Sequence, residues 1–271
     1  MTAEISPLIG VEALAASLGV FRVLDLRWDL ADPDKGRETY ESGHIPGAVF
    51  VDLDRDLAAP PGNRGRHPLP TVGAFAATLG NLGITPDSHV VACDDAGGRI
   101  AARLWWMLRS IGHARAQVLD GGYRVWVETG QEVAVGPVVP ASTIYPVPAG
   151  FRGVVPHDRL DGRTVVDARE GERYRGEIEP VDPKAGHIPG AINVPTSQNL
   201  AGDGRFLTAS DLAEIYSAVP SGAVVCCGSG VTACHDALAM VIAGHDMPDL
   251  YIGSFSEWSR LDLPVTTGPN P

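Results

Sequence analysis

The sequence predicts an α/β protein of two similar domains, each a mostly parallel central sheet flanked by helices. An internal repeat and a strand–helix alternation carry that prediction. The hexapeptide GHIPGA occurs twice, beginning at Gly43 and at Gly186. Each copy follows a short apolar run ending in an acid, VLDLR from Val23 and VVDAR from Val165, and precedes a second apolar run, HVVACDD from His89 and AVVCCGS from Ala223. A third match sets VLDGGYRVW from Val118 against LYIGSFSEW from Leu250. Three matches in the same order indicate a duplicated unit.

Val23–Leu24, Val90–Val91 and Gln117–Leu119 read as buried strands, and 101–111 reads as a helix with apolar residues all along it. Continuous apolar strands separated by helices belong to a parallel sheet covered on both faces. The stretch from Gly136 to Pro148 holds four prolines and no helical pattern. It reads as a linker. The expected division is therefore a first domain over 1–136, a linker over 137–149 and a second domain over 150–271.

The 271 residues are 44% hydrophobic and 20% charged, the composition of a soluble globular chain. No apolar run reaches the roughly 18 residues needed to span a bilayer. Met1 to Val20 has no basic n-region and carries Glu4 and Glu12, unlike a signal peptide, so a cytoplasmic protein without membrane contact is expected. A net charge of −12 argues against nucleic-acid binding through the bulk field. It also means that any anionic substrate must be drawn by a local positive feature.

The four cysteines, Cys93, Cys226, Cys227 and Cys234, form neither a disulfide framework nor a zinc pattern. The stretch from Val224 to His235 reads as strand, glycine-rich loop and helix, with the strand ending near Cys226 and the helix starting near Val231. Gly228 and Gly230 permit a tight turn. Such a turn at a helix start points several N–H groups at one spot, where the sulfur of Cys227 would lie. Amides so placed lower a thiol pKa and hold the outer sulfur of a persulfide. The same spacing also suits a small buried apolar cysteine, and spacing alone leaves both readings open.

With these residues in view, the chain resembles the rhodanese superfamily. The resemblance rests on the loop from Cys227 to Ala233, both GHIPGA segments, ARLWWMLRSIGH from Ala102, LDGGYRVW, and GSFSEW from Gly253. The loop is similar to that of 3-mercaptopyruvate sulfurtransferases; thiosulfate sulfurtransferases typically carry Arg-Lys where this chain has Gly228-Ser229. The resemblance implies two α/β domains with about five strands each, and one active site in the second domain at the interface with the first. It implies Cys227 as the nucleophile that becomes a persulfide. Gly228, Gly230, Val231 and Thr232 would shape the pocket that takes the donor. Ser229 would assist proton transfer, helped by a histidine and an aspartate matching His67 and Asp54. Arg173 would clamp a donor carboxylate. A second arginine is expected after Glu179-Pro180, but Val181-Asp182 follow; Arg175 or Lys184 stand as replacements.

Cys93 falls near the nucleophile's position in the first half, followed by Asp94 and Asp95, whose charges would repel a thiolate and an anionic substrate. That half reads as inactive and Cys93 as structural, as do Cys226 and Cys234. His44 and His187, present in both halves, read as loop-holding residues, and Trp105 and Trp106 as core.

The expected activity is sulfane-sulfur transfer from 3-mercaptopyruvate, a small anionic donor, to cyanide or a thiol acceptor such as thioredoxin. No metal or organic cofactor is expected. A thiosulfate sulfurtransferase and a non-catalytic partner-binding module are the alternatives. A phosphatase of related fold would need an arginine at position 233, which is Ala233.

Overall fold

The computed structural model describes residues 5–270. The chain divides into two compact units. One comprises the chain up to Ala58, Pro70–Arg152 and Gly202–Arg205; the other comprises Ala59–Leu69, Gly153–Ala201 and the chain from Phe206 onward. Among the described residues, no helix is long and apolar enough to cross a membrane.

The first unit holds five strands: β1 (Leu8–Ile9), β2 (Phe21–Asp25), β3 (Val49–Phe50), β4 (His89–Cys93) and β5 (Ala116–Leu119). Their order is β1-β5-β4-β2-β3, and every pairing is parallel. Val23, Leu24, Val90, Val91 and Ala92 are all buried, so neither sheet face alternates with polar residues. The helix Ala101–Ser110 buries Trp105 and Trp106, as its apolar sequence predicts. The second unit holds β6 (Val165–Asp167), β7 (Ile192–Asn193), β8 (Val224–Cys226) and β9 (Asp249–Leu250), in the order β7-β6-β8-β9, again all parallel. A fifth strand is reduced there to a single bridge between Val154 and Leu250.

The repeat extends to individual hydrogen bonds. His44 Nδ1 donates to the carbonyl of Tyr40 at 3.0 Å, and His187 Nδ1 to that of Tyr174 at 2.8 Å. Each imidazole stacks on that same tyrosine, with ring centroids 4.3 and 3.8 Å apart. Both histidines therefore hold a turn, and their presence in both units follows from the fold. At the ends of β2 and β6 a buried ion pair recurs, Arg27–Asp25 at 2.9 Å and Arg169–Asp167 at 2.6 Å. Each guanidinium also donates to a glycine carbonyl, of Gly43 and of Gly186, and covers an aromatic ring, of Tyr123 and of Phe255.

Strand register corrects one expectation. Asp25 pairs with Cys93, and Asp167 pairs with Cys226. Cys93 is thus the counterpart of Cys226, and Asp94 is the counterpart of Cys227. The main chain agrees: Tyr123 N–H donates to the Asp94 carbonyl at 2.8 Å, as Phe255 N–H does to the Cys227 carbonyl at 2.9 Å. Two adjacent cysteines in one unit and one in the other made the alignment ambiguous by one residue, and only the pairing resolves it.

The Asp94 carboxylate is fully buried. One oxygen accepts from the N–H groups of Ala96 and Gly98 at 2.9 and 2.8 Å; the other accepts from Ile100 and Ala101, both at 2.8 Å. Four oriented amides take the place of a cation. Asp94→Asn exchanges one acceptor oxygen for a donor and leaves two buried N–H groups unsatisfied. The substitution should lower stability by on the order of 3 kcal/mol, read as a lower urea midpoint at unchanged m-value.

Candidate active site

Cys227 is the first residue after β8, and the helix that follows runs Ala233–Ile242, two residues later than the sequence suggests. Val231 and Thr232 instead build the turn before it, their carbonyls accepting from Cys234 and His235 N–H at 3.1 and 3.0 Å. Gly230 makes the loop possible. Its φ is +76°, and a Cβ there would lie 2.3 Å from the Ile252 carbonyl oxygen, so only glycine fits. This conformation turns the Gly230 N–H back onto Cys227 Sγ at 3.1 Å. The sulfur belongs to a residue only 1% exposed.

The loop rests on the segment after β9. Ser256 N–H donates to the Gly228 carbonyl at 2.7 Å, and Cys227 N–H donates to Ser254 Oγ at 3.1 Å. The Ser254 hydroxyl passes its own proton to the Tyr251 carbonyl at 2.8 Å. Among the described residues, Ser254 alone has a positive φ without being glycine, at 52°. The first unit has Gly122 in the equivalent place, with φ +63°. A side chain in this region costs about 1–2 kcal/mol, and the hydroxyl offsets it by accepting from the Cys227 amide. Sequence reasoning missed Ser254. The signal was present in the GGYRVW and GSFSEW alignment, which sets a serine against a glycine.

The segment Ala59–Leu69 is a closed loop, tied by Ala59 N–H to the Pro68 carbonyl at 2.8 Å. It brings His67 Nδ1 to 2.7 Å from Ser229 Oγ, and both side chains are buried. Cys227, Ser229 and His67 therefore belong to one unit. Asp54 belongs to the other: it lies on the short helix Leu53–Asp56, where its carboxylate accepts from Trp28 Nε1 at 2.8 Å.

Arg173 lies on the helix Gly171–Tyr174 and pairs with Glu179 at 2.7 Å and Asp182 at 3.1 Å. Neither suggested replacement for the missing arginine reaches that cluster. Arg175 pairs with Glu177 at 2.7 Å, and Lys184 donates to the Leu261 and Leu263 carbonyls at 2.8 and 3.3 Å. The cation that does reach Asp182 is Arg66, Nη1 to Oδ1 at 2.5 Å. No local pattern marked it, because the two residues are 116 positions apart.

A family model described as "Rhodanese-like domain" matches residues 11–129 and again 157–261. The chain belongs to this rhodanese-like family. It is 42% identical over 96% of its length, and 98% of the other chain, to a Pseudomonas aeruginosa protein named "Probable 3-mercaptopyruvate sulfurtransferase". It is 34% identical to the thiosulfate sulfurtransferase of Rattus norvegicus, over 90% of this chain and 87% of that one. Among solved structures, the 3-mercaptopyruvate sulfurtransferase of Leishmania major superposes with a TM-score of 0.84 at 31% identity, over 93% of this chain and 74% of that chain.

In this rhodanese-like chain burial holds the Cys93 and Cys226 thiols neutral. Burial, reinforced by the charge of Asp167, pushes the Cys226 thiol far up; burial and the charges of Asp25 and Asp94 do the same to Cys93. Cys226 packs in the apolar core with Val224, Tyr251 and Phe255. Cys234 lies inside the following helix, buried, with its thiol directed at the Gly230 carbonyl. Burial opposes ionisation of Glu179, but the Arg173 guanidinium and the Asp182 and Val181 amides outweigh it and hold its carboxyl below the usual range.

Two predictions follow from these contacts. Ser254→Ala keeps the unfavourable φ and loses the hydroxyl, whereas Ser254→Gly loses the hydroxyl and relieves the backbone. The alanine variant should be less stable than the glycine variant by about 1–2 kcal/mol, measured by chemical denaturation. For Glu179, a depressed carboxyl contributes stability above its unfolded pKa and loses it as pH falls through the folded one. Glu179→Gln should therefore be less stable at neutral pH and show a shallower loss between about pH 5 and pH 3 in thermal melts.

Proposed function

We propose that this chain is a sulfurtransferase that carries sulfane sulfur as a persulfide on Cys227, with 3-mercaptopyruvate as donor and a thiol such as thioredoxin, or cyanide, as acceptor. The observation that carries this reading is the loop itself: the Gly230 N–H meets Cys227 Sγ at 3.1 Å, and two residues on, Ser229 meets His67 at 2.7 Å. The nucleophile and the relay hydroxyl lie on one short turn, and His67 reaches that hydroxyl from the segment Ala59–Leu69.

The Cys227 thiolate attacks the donor sulfur, the donor C–S bond breaks, and its electron pair passes to carbon as the enolate of pyruvate. The Ser229 hydroxyl, backed by His67, delivers the proton that completes pyruvate. Gly230 N–H stabilises the sulfur anion before attack and the persulfide after it. In the second half-reaction the acceptor attacks the outer sulfur, the S–S bond breaks, and the thiolate of Cys227 returns. Gly228, Val231 and Thr232 shape the loop backbone that holds this geometry, and Arg173 faces the donor carboxylate.

Thiosulfate is the second donor to consider, favoured by Asp182 standing where the resemblance expects an arginine. The proton requirement separates the two, because sulfite leaves thiosulfate with its electron pair and needs none. Incubation with donor should add one sulfur atom to the mass of the chain, mapped to Cys227 and absent from Cys227→Ser. Ser229→Ala should lower kcat/KM on 3-mercaptopyruvate by about a hundredfold and spare loading from thiosulfate. Sulfur found on another cysteine would overturn the assignment.

A further inference from the structure

The cationic face of the catalytic loop contains an arginine that the sequence comparison does not anticipate. A Cβ added to Gly228, the residue after the nucleophile, would lie 3.2 Å from Arg66 Nη2 and 3.4 Å from Arg173 Nη1. Two guanidinium groups therefore approach the same point of the loop.

The division of labour within each guanidinium is informative. Arg66 uses Nη1 on Asp182 Oδ1. Arg173 uses Nε and Nη2 on Glu179, and Nη2 again on Asp182 Oδ2 at 3.1 Å. The two nitrogens nearest Gly228, Arg66 Nη2 and Arg173 Nη1, are not the ones spent on carboxylates; Arg173 Nη2, which is, lies farther off at 3.8 Å. Among the described residues, Arg66 Nη2 and Arg173 Nη1 have no hydrogen-bond partner, and Arg66 Nε is buried with none either. A buried N–H without a partner, as at Arg66 Nε, is costly and calls for an acceptor, while the two Nη groups lie on side chains 19% and 21% exposed and are open to a ligand. The Asp182 side chain is wholly buried between the two arginines, one oxygen to each. It orients both without blocking the edges turned toward the loop.

We infer that Arg66 is the second cation of the donor site and that Asp182 is its positioning residue, so that Arg66 and Arg173 together bind the anionic group of a small sulfur donor over Gly228. This rests on the sulfurtransferase reading and names the recognition at that site. Arg66 takes up in space the role of the second arginine expected after Glu179-Pro180. A carboxylate and a sulfonate-like group offer the same oxygen acceptors, so the clamp serves 3-mercaptopyruvate and thiosulfate alike. Leaving-group chemistry, not anion recognition, then separates the two donors.

The test measures sulfur loading of Cys227 by the full chain from 3-mercaptopyruvate, from thiosulfate and from the uncharged methyl ester of 3-mercaptopyruvate. The wild type is compared with Arg66→Ala, Arg66→Lys and Asp182→Asn. Arg66→Ala should raise the half-saturating concentration of both anionic donors by about tenfold to a hundredfold, with the maximal rate nearly kept and loading from the neutral donor unchanged. Arg66→Lys keeps the charge but not the fork, and should recover part of the loss. Asp182→Asn should weaken both anionic donors several-fold by releasing the two arginines. Loading from the neutral donor reports that each variant is folded. If Arg66→Ala leaves half-saturation by both anionic donors unchanged, or weakens the neutral donor equally, the inference is overturned while the sulfurtransferase reading stands. A wild type that loads from neither anionic donor would overturn both.

Discussion

One backbone hydrogen bond, made twice, organises both halves of the molecule. The residue just past the central strand gives its carbonyl to an amide two residues into the next repeat motif, Asp94 to Tyr123 and Cys227 to Phe255. That bond pins the residue at the mouth of a loop that turns main-chain N–H groups onto its side chain, four onto Asp94 and that of Gly230 onto Cys227. Such a loop favours negative charge whatever side chain is placed in it. In the first unit an aspartate fills it and satisfies four amides permanently. In the second unit a cysteine fills it, and the Gly230 amide is directed at its sulfur. The two units thus use one geometry for two side chains, a carboxylate in one and a thiol in the other.

The acidic balance of the chain sharpens the role of its local cations. With a net charge of −12 the protein's overall field repels a small anion. The region beside Gly228 answers with arginines held by carboxylates, not with uncompensated positive charge. Each acid there is bound by guanidinium groups, and Glu179 is kept ionised by that contact. Pairing lowers the cost of burying the cations and fixes which N–H edges remain for a ligand. Directionality, more than net charge, is what the cluster offers.

Much of this was legible in the sequence. GHIPGA marked the turns because the same tyrosine–histidine contacts are needed in both units. The continuous apolar strands gave the parallel sheets, and Gly230 marked the loop because its conformation excludes any side chain. The Cys93 alignment slipped by one residue, since neighbouring polar and cysteine residues look interchangeable until strand pairing sets the register. Ser254 and Arg66 were not found for a different reason. Ser254 matters through its φ, which a serine conceals. Arg66 matters through contacts with residues more than a hundred positions away. Neither property leaves a periodicity or a spacing.

The same reasoning explains why the site tolerates Asp182 where the resemblance expects an arginine. An anion clamp requires two guanidinium edges facing one point, but it does not prescribe which segments supply them. Once the loop Ala59–Leu69 is fastened by His67 to Ser229 and by the Arg66 amide to Ser256 at 3.0 Å, the Arg66 side chain is already beside Gly228. A second arginine at position 182 would then crowd like charge into the same space, whereas an aspartate there neutralises and orients. The acid at 182 and the arginine at 66 are therefore two halves of one solution, and each makes physical sense only with the other present.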